Sequence, residues 1–137
     1  MTERHRVEGW SGALRDTIAR HHAMPFEWGV CDCARMLGDC LLAVTGSDPL
    51  AGYRWTTPTG AKRALKRAGA SSAVEFFSRH GVEIGPAFGQ RGDFGIVAGD
   101  VDALMAPAVI DGAFAFSKNE SGNVVVPISA LVRVWAA

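Results

Sequence analysis

The stretch "PFEWGVCDCARMLGDCLLAVTG", residues 25–46, decides the fold. Its first nine residues are turn-like and end in Asp32 and Cys33, and an apolar run follows directly. Asp is a favoured N-cap, and Gly46 is a typical stop, so the pattern predicts a helix that begins at Cys33. On this helix one face is apolar and is expected to be largely buried; it carries Cys33, Met36, Leu37, Cys40 and Leu41.

The rest of the N-terminal half is also predicted to be helical. From Val7 to about Met24, apolar positions recur at steps of three and four residues, which is the period of an amphipathic helix, and Pro25 closes it. The segment "TGAKRALKRAGA" (59–70) predicts a short basic helix. In "SSAVEFFSRHG" (71–81), Ser72 and Glu75 have the spacing of a capping box.

Beyond Gly81 the pattern changes to short apolar runs separated by Gly, Pro and Asp, which is typical of strands. Strands are predicted near 93–98, 107–111, 113–117 and 123–128, with a possible last strand at 130–136. Turn signals at 111–112 and 121–123 favour antiparallel hairpins. The prediction is therefore an α+β fold, with N-terminal helices followed by a small antiparallel β-sheet. It is expected to form one domain over residues 1–137, with a helical part at about 7–81 and a sheet part at about 91–135.

Composition limits the classes of partner. Fourteen basic and fourteen acidic side chains cancel, so the net charge does not indicate binding to duplex DNA or to an anionic membrane surface. No stretch approaches the roughly 20 consecutive apolar residues of a membrane span. We therefore expect no nucleic-acid partner and no membrane insertion.

The three cysteines, Cys31, Cys33 and Cys40, are an odd number within ten residues, which is no disulfide framework. Cys33 is the candidate nucleophile, because the positive end of a helix stabilises a thiolate over a thiol. Cys40 lies two turns further along the same face and is interpreted as packing, as is Cys31 in the loop.

A metal or iron–sulfur site is a weaker alternative. Its ligands would be Cys31, Cys33 and Cys40, joined by His21 or His22. Structural zinc sites usually take their ligands from two closely spaced pairs such as C-x-x-C, and this spacing supplies only one such pair. We therefore predict no metal and no cofactor.

"PFEWGVCDCARM" resembles the nucleophile segment of the NlpC-type cell-wall cysteine peptidases, which are papain-like enzymes. In that family an aromatic residue, Trp-Gly and then Asp-Cys lead into the helix that carries the nucleophile, which matches Cys33. "RGDFGIVAG" (91–99) is similar to the Gly-Asp strand that follows. More narrowly, these segments with "AVTGSDPLAGYR" and "ALKRAG" resemble a group of small proteins found among tail genes of bacteriophages and prophages. The resemblance implies a papain-like NlpC-type fold.

Such an enzyme needs a histidine beside its thiol as general base and then general acid. In the family this histidine begins the strand after the Gly-Asp strand, and here that stretch is "MAPAVIDG" (105–112), so the position falls on Ala106 or a close neighbour. No histidine follows His80. The other three are His5, His21 and His22, and one of the four would have to approach Cys33 from another direction. Asp93 is interpreted as a turn cap.

Two main hypotheses follow, with the metal module as a third. The first is a structural or assembly component of a phage tail tip or baseplate, built on a degenerate, inactive peptidase domain. Its partners are other tail proteins, and its location is the host cytoplasm during assembly and then the virion tail. The second is an active cysteine peptidase or amidase that acts on peptidoglycan through Cys33. Tyr53 and Trp55 are either interface contacts or satellite core packing.

Overall fold

The computed structural model describes residues 3–97 and 106–137. Four α-helices come first: α1 Trp10–Ala23, α2 Cys33–Thr45, α3 Pro58–Arg67 and α4 Ala73–Ser78. Six strands follow: β1 Val82–Ile84, β2 Phe94–Val97, β3 Pro107–Asp111, β4 Phe114–Asn119, β5 Gly122–Pro127 and β6 Leu131–Ala136. Short 3-10 turns lie at Pro86–Phe88 and Ile128–Ala130. Among the described helices, none has the length and apolar character needed to cross a bilayer. The predicted α+β class is confirmed.

The strands form one antiparallel sheet in the order β1-β6-β2-β3-β4-β5. β3 and β4 form a hairpin in which Asp111 pairs with Phe114, and β4 and β5 form the next hairpin, in which Asn119 pairs with Gly122. Both predicted turn signals therefore lie at hairpins. The last strand, β6, does not continue this meander; it inserts between β1 and β2.

The helices cover one face of the sheet, and most of the core lies between them. α1 packs on α2, and α2 packs on β3 and β4. From the sheet, Phe94 and Val109 enter this core, and Phe94 stacks on Trp135 with the ring centroids 5.6 Å apart. Burying each large apolar side chain stabilises the fold by about 1.5–3 kcal/mol. A second, smaller cluster, which includes Ile110 and Val134, lies on the opposite face.

Several elements differ from the sequence prediction; most strand bounds shift by one or two residues, and three cases have a clear reason or consequence. α1 begins at Trp10 rather than Val7, because Gly9 takes a left-handed conformation (φ 76°) and the Val7 amide donates to the Val44 carbonyl instead. β1 was not predicted, since it has only three residues and is held by pairing with β6. β2 begins at Phe94 and ends at Val97, so residue 98 of the predicted strand lies outside the described residues.

Candidate active site

The turn before α2 is built around the Asp32 carboxylate. This side chain is 2% exposed and accepts hydrogen bonds from the amides of Arg35 (2.7 Å) and Gly29 (2.8 Å) and from Nε1 of Trp55 (2.7 Å). Gly29 has φ 79°, and a Cβ there would lie 1.8 Å from the Trp55 carbonyl oxygen. The Trp-Gly step and the Asp are therefore required locally, and they place Cys33 at the first position of α2.

Arg35 holds the same turn from the other side. Its Nε donates to the Gly29 carbonyl (3.1 Å), its terminal nitrogen donates to the Tyr53 carbonyl (3.2 Å), and its guanidinium lies 4.9 Å from the centroid of the Trp55 ring. Trp55 itself is only 9% exposed. It is therefore part of the core rather than an exposed interface anchor, and Tyr53 is half-buried beside it.

A cleft of about 270 Å³ opens beside Cys33. Phe26 and Trp28 contribute aromatic walls and pack edge to face, with their centroids 5.0 Å apart. Ala106 lines this same cleft, immediately before β3. The structure thus brings together the predicted nucleophile and the residue at the predicted histidine position. The described residues that line the cleft are Phe26, Trp28, Cys33, Pro58, Lys62, Ala106, Lys118, Asn119 and Glu120.

All four histidines lie within the described residues, and none of them lines this cleft. His21 is fully buried, and its Nε2 lies 2.7 Å from Oδ2 of Asp39 on α2. Burial acts to raise the pKa of Asp39, but the hydrogen bond with His21 and nearby positive charge outweigh it and hold that pKa below its usual value. His21 is therefore committed to a contact between α1 and α2.

Two of the other histidines, His22 and His80, make contacts of their own, and His5 is exposed. His22 lies with Nε2 3.0 Å from the Ser117 carbonyl, which can only accept, so Nε2 carries the proton; burial lowers the pKa of His22. His80 packs against Phe76 with a centroid distance of 5.5 Å, and burial lowers its pKa as well. His5 is exposed in the N-terminal segment.

Lys118 lines the cleft and was not identified from the sequence. It is 3% exposed, and its Nζ donates to the carbonyls of His21 (3.0 Å) and Met24 and to Oδ1 of Asn123 (2.6 Å). Three acceptors match the three hydrogens of an ammonium. Lys118 therefore acts as a buried cation at the C-terminal end of α1, where it complements the helix dipole.

Cys31 and Cys40 are buried, whereas Cys33 is half-buried. Burial raises the pKa of Cys31, whose Sγ donates to the His21 carbonyl (3.2 Å), and burial raises that of Cys40 well above its usual range. In residues 3–97 and 106–137, no group of three or more His, Cys, Asp or Glu side chains is arranged to hold a metal ion. The structure therefore does not assemble Cys31, Cys33 and Cys40 into a ligand set.

Native thiol labelling is expected to modify Cys33 alone. N-ethylmaleimide should add once to the folded protein, because the cleft reaches only that thiol, and three times after unfolding in guanidinium. Intact-mass spectrometry counts the adducts. The Cys33→Ala variant is the control and should take up no reagent while folded; rapid labelling of that variant would contradict this assignment of the buried thiols.

Asp93 lies outside the cleft lining and has a structural role. It is 0% exposed, and its carboxylate pairs with Arg4 (2.9 Å) and Arg6 (3.0 Å). It also accepts from the amides of Gln90 (2.8 Å) and Ala137 (3.2 Å). The Gln90 contact confirms the predicted turn cap. The two arginines were not anticipated, because only the fold brings residues 4–6 beside residue 93.

Comparison with known proteins identifies a family. A family described as a domain of unknown function, DUF6950, matches residues 5–137. No curated protein and no solved structure shows significant similarity to the chain. The match covers nearly the whole chain, but the description of the family indicates no chemistry.

Proposed function

This chain belongs to the DUF6950 family. We propose that it is a structural or assembly component of a bacteriophage tail tip or baseplate, built on a papain-like, NlpC-type domain that has lost peptidase activity. One observation carries the proposal. Cys33 and Ala106 line the same cleft, and none of the four histidines of the chain does. A thiol in a cleft whose described lining holds no imidazole cannot run the ordinary thiol–imidazole cycle.

The missing base is costly in rate. A positioned general acid–base contributes typically about 10²–10⁴-fold, and the same imidazole both activates the thiol and protonates the leaving amine. Lys118 does not replace it, because its three hydrogens are already donated to two carbonyls and Asn123. The residual chemistry is that of a thiol at a helix start, which reacts with electrophiles but hydrolyses amides poorly.

The phage assignment is supported by the resemblance of "PFEWGVCDC", "AVTGSDPLAGYR", "ALKRAG" and "RGDFGIV" to proteins of phage tail genes. These segments provide the turn before α2, the connection to α3, part of α3 and the Asp93 turn with β2. Two of them contain the buried carboxylates Asp32 and Asp93, which anchor turns of the fold, and this suits a domain kept for its shape. The partners would be other tail proteins.

The second candidate is an active cysteine peptidase or amidase on peptidoglycan. It is favoured by the position of Cys33 at the start of the 13-residue helix α2, in an open cleft with Phe26 and Trp28 as walls. Ligand sites are typically clefts lined by aromatic side chains with a few polar groups. In this case one of the groups around the cleft would have to supply the proton transfers that Ala106 cannot.

Activity measurements separate the two candidates. We expect the wild-type protein to release no product from peptidoglycan fragments, and Ala106→His to raise the rate of Cys33 alkylation at neutral pH about tenfold, because an adjacent imidazolium stabilises a thiolate. The measurements are chromatography of the fragments and iodoacetamide kinetics. Cys33→Ala and Ala106→His/Cys33→Ala are the controls. Wild-type turnover that disappears in Cys33→Ala would establish the enzyme instead.

The tail assignment has its own test. Mass spectrometry of purified phage particles and of tail assembly intermediates should detect the chain in the particles if it is a tail component, or only in the intermediates if it is an assembly factor. Its absence from both would contradict the proposal, whatever the peptidase assay shows.

A further inference from the structure

Positive charge is distributed unevenly over the molecule. All fourteen Lys and Arg residues lie in the described ranges. Six pair with carboxylates, and two more, Arg35 and Lys118, donate to backbone carbonyls. The remaining six make no ion pair with the described part of the chain. One of them is Arg15 on α1, and the other five are close together in the sequence: Arg54, Lys62, Arg63, Lys66 and Arg67.

Four of these cations share one surface. Ala61 and Ala64 are buried and turn one face of α3 toward the core. Lys62, Arg63, Lys66 and Arg67 are exposed on the opposite face, which we term the basic face of α3. No Asp or Glu occurs at residues 49–74, so this face has no acidic neighbour in the sequence. A chain with zero net charge thus carries a concentrated positive surface.

The stability of α3 does not explain this arrangement. Lys62 and Lys66 are four residues apart, as are Arg63 and Arg67, and like charges at this spacing repel each other and destabilise a helix. Only Lys66 and Arg67, in the last turn, are favoured by the helix dipole. Like charges that are kept at repelling positions on a helix, with no contact that offsets the repulsion, are typical of a functional surface.

We propose that the basic face of α3 docks a carboxylate-rich segment of a partner protein. Four positive charges complement a row of carboxylates, and this complementarity does not depend on whether the Cys33 cleft is catalytic. Pro58 and Lys62 also line that cleft, so a segment bound along α3 lies beside its mouth. The inference therefore goes beyond the proposed tail role by naming a surface and the chemistry of what binds it.

The same observations disfavour other anions. Proteins that bind duplex DNA commonly neutralise about 6–10 phosphates, whereas this face has four cations along roughly 8 Å of helix. A membrane-binding helix needs exposed apolar side chains on the same element, and the buried alanines of α3 point to the core. Single-stranded nucleic acid stacks its bases on open aromatic rings. Beside α3, Tyr53 is covered by Arg67, whose guanidinium lies 5.5 Å from the ring centroid. The rings of Phe26 and Trp28 lie in the Cys33 cleft and not on the basic face.

A labelled octaglutamate peptide tests the surface directly. Fluorescence anisotropy at low ionic strength should show binding to the wild-type protein, about tenfold weaker binding to Arg63→Gln/Lys66→Gln, and less than about twofold change for Arg15→Gln, because only the first variant alters the basic face. No binding, or equal losses in the two variants, overturns the proposal. Tighter binding to a short DNA duplex or to phosphatidylserine vesicles, measured at the same salt, also overturns it.

Thermal unfolding tests the repulsion without any ligand. Arg63→Glu should raise Tm by about 1–3 °C, because the new carboxylate attracts Arg67 one turn away, while it weakens binding of the peptide. Arg15→Glu is the matched control, since residues 11 and 19 on α1 carry no charge, and it should not raise Tm. If Arg63→Glu leaves Tm unchanged or lowers it, the repulsive face is not present and the inference fails.

Discussion

Replacing Asp93 with alanine is expected to lower the free energy of unfolding by about 3–5 kcal/mol, since removing one member of a buried ion pair leaves its partners uncompensated. Two guanidiniums, from Arg4 and Arg6, lose their carboxylate, and the amides of Gln90 and Ala137 lose an acceptor. The measurement is denaturant unfolding followed by circular dichroism. If the variant does not fold, Asp93→Asn, which keeps an oxygen acceptor, should recover part of the loss.

Glu83→Ala is the matched control. Glu83 also pairs with an arginine, Arg133, at 2.7 Å, but both side chains are about half exposed (48% and 49%). Exposed pairs contribute roughly 0–1 kcal/mol, so this variant should unfold almost as the wild type does. A similar loss in Glu83→Ala and Asp93→Ala would mean that burial of the carboxylate is not what makes the Asp93 cluster important.

Asp32→Ala is expected to lower the free energy of unfolding by about 3–7 kcal/mol. The cap of α2 accounts for roughly 1 kcal/mol, and the rest comes from two donors that lose their acceptor, the Gly29 amide and the buried Nε1 of Trp55, at about 1–3 kcal/mol for an unsatisfied buried group. Tryptophan fluorescence, to which Trp55 contributes with three other tryptophans, should change as well, because the Trp55 indole N–H loses its partner. Denaturant unfolding monitored by that fluorescence gives both results.

A second capped helix separates the cap from the other contacts of Asp32. Ser72 caps α4 through one hydrogen bond from the Glu75 amide (3.1 Å) at an exposed position, so Ser72→Ala should cost only about 1 kcal/mol. If Asp32→Ala costs no more than this, the carboxylate functions as an ordinary cap and does not anchor the turn before Cys33.

The sequence predicted well what depends on local pattern. The 3.6-residue period, Asp32 and Gly46 together fixed the bounds of α2, and the turn residues near 111 and 121 located two hairpins. β1 escaped prediction because its pairing with β6 is made about fifty residues away in the chain.

The candidate site was predicted only where it depends on local sequence signals. Cys33 was placed by local signals, and the position of Ala106 was inferred from a resemblance. The role of Lys118 was not visible, since its acceptors His21 and Met24 lie more than ninety residues away. A lysine in a strand normally indicates a solvent-facing position, and only the tertiary fold shows that this one is buried.

The Asp93 cluster also determines where the two ends of the described chain lie. Arg6 donates to both Asp93 and the Ala137 carbonyl, so residues 4–6 and residue 137 are neighbours in space. A short flexible linker can therefore join them, and a circularly permuted chain with new ends in the exposed turn at 51–52 should keep every helix and strand intact. In an assembly, segments added to either end would therefore emerge from neighbouring points on the surface of the domain.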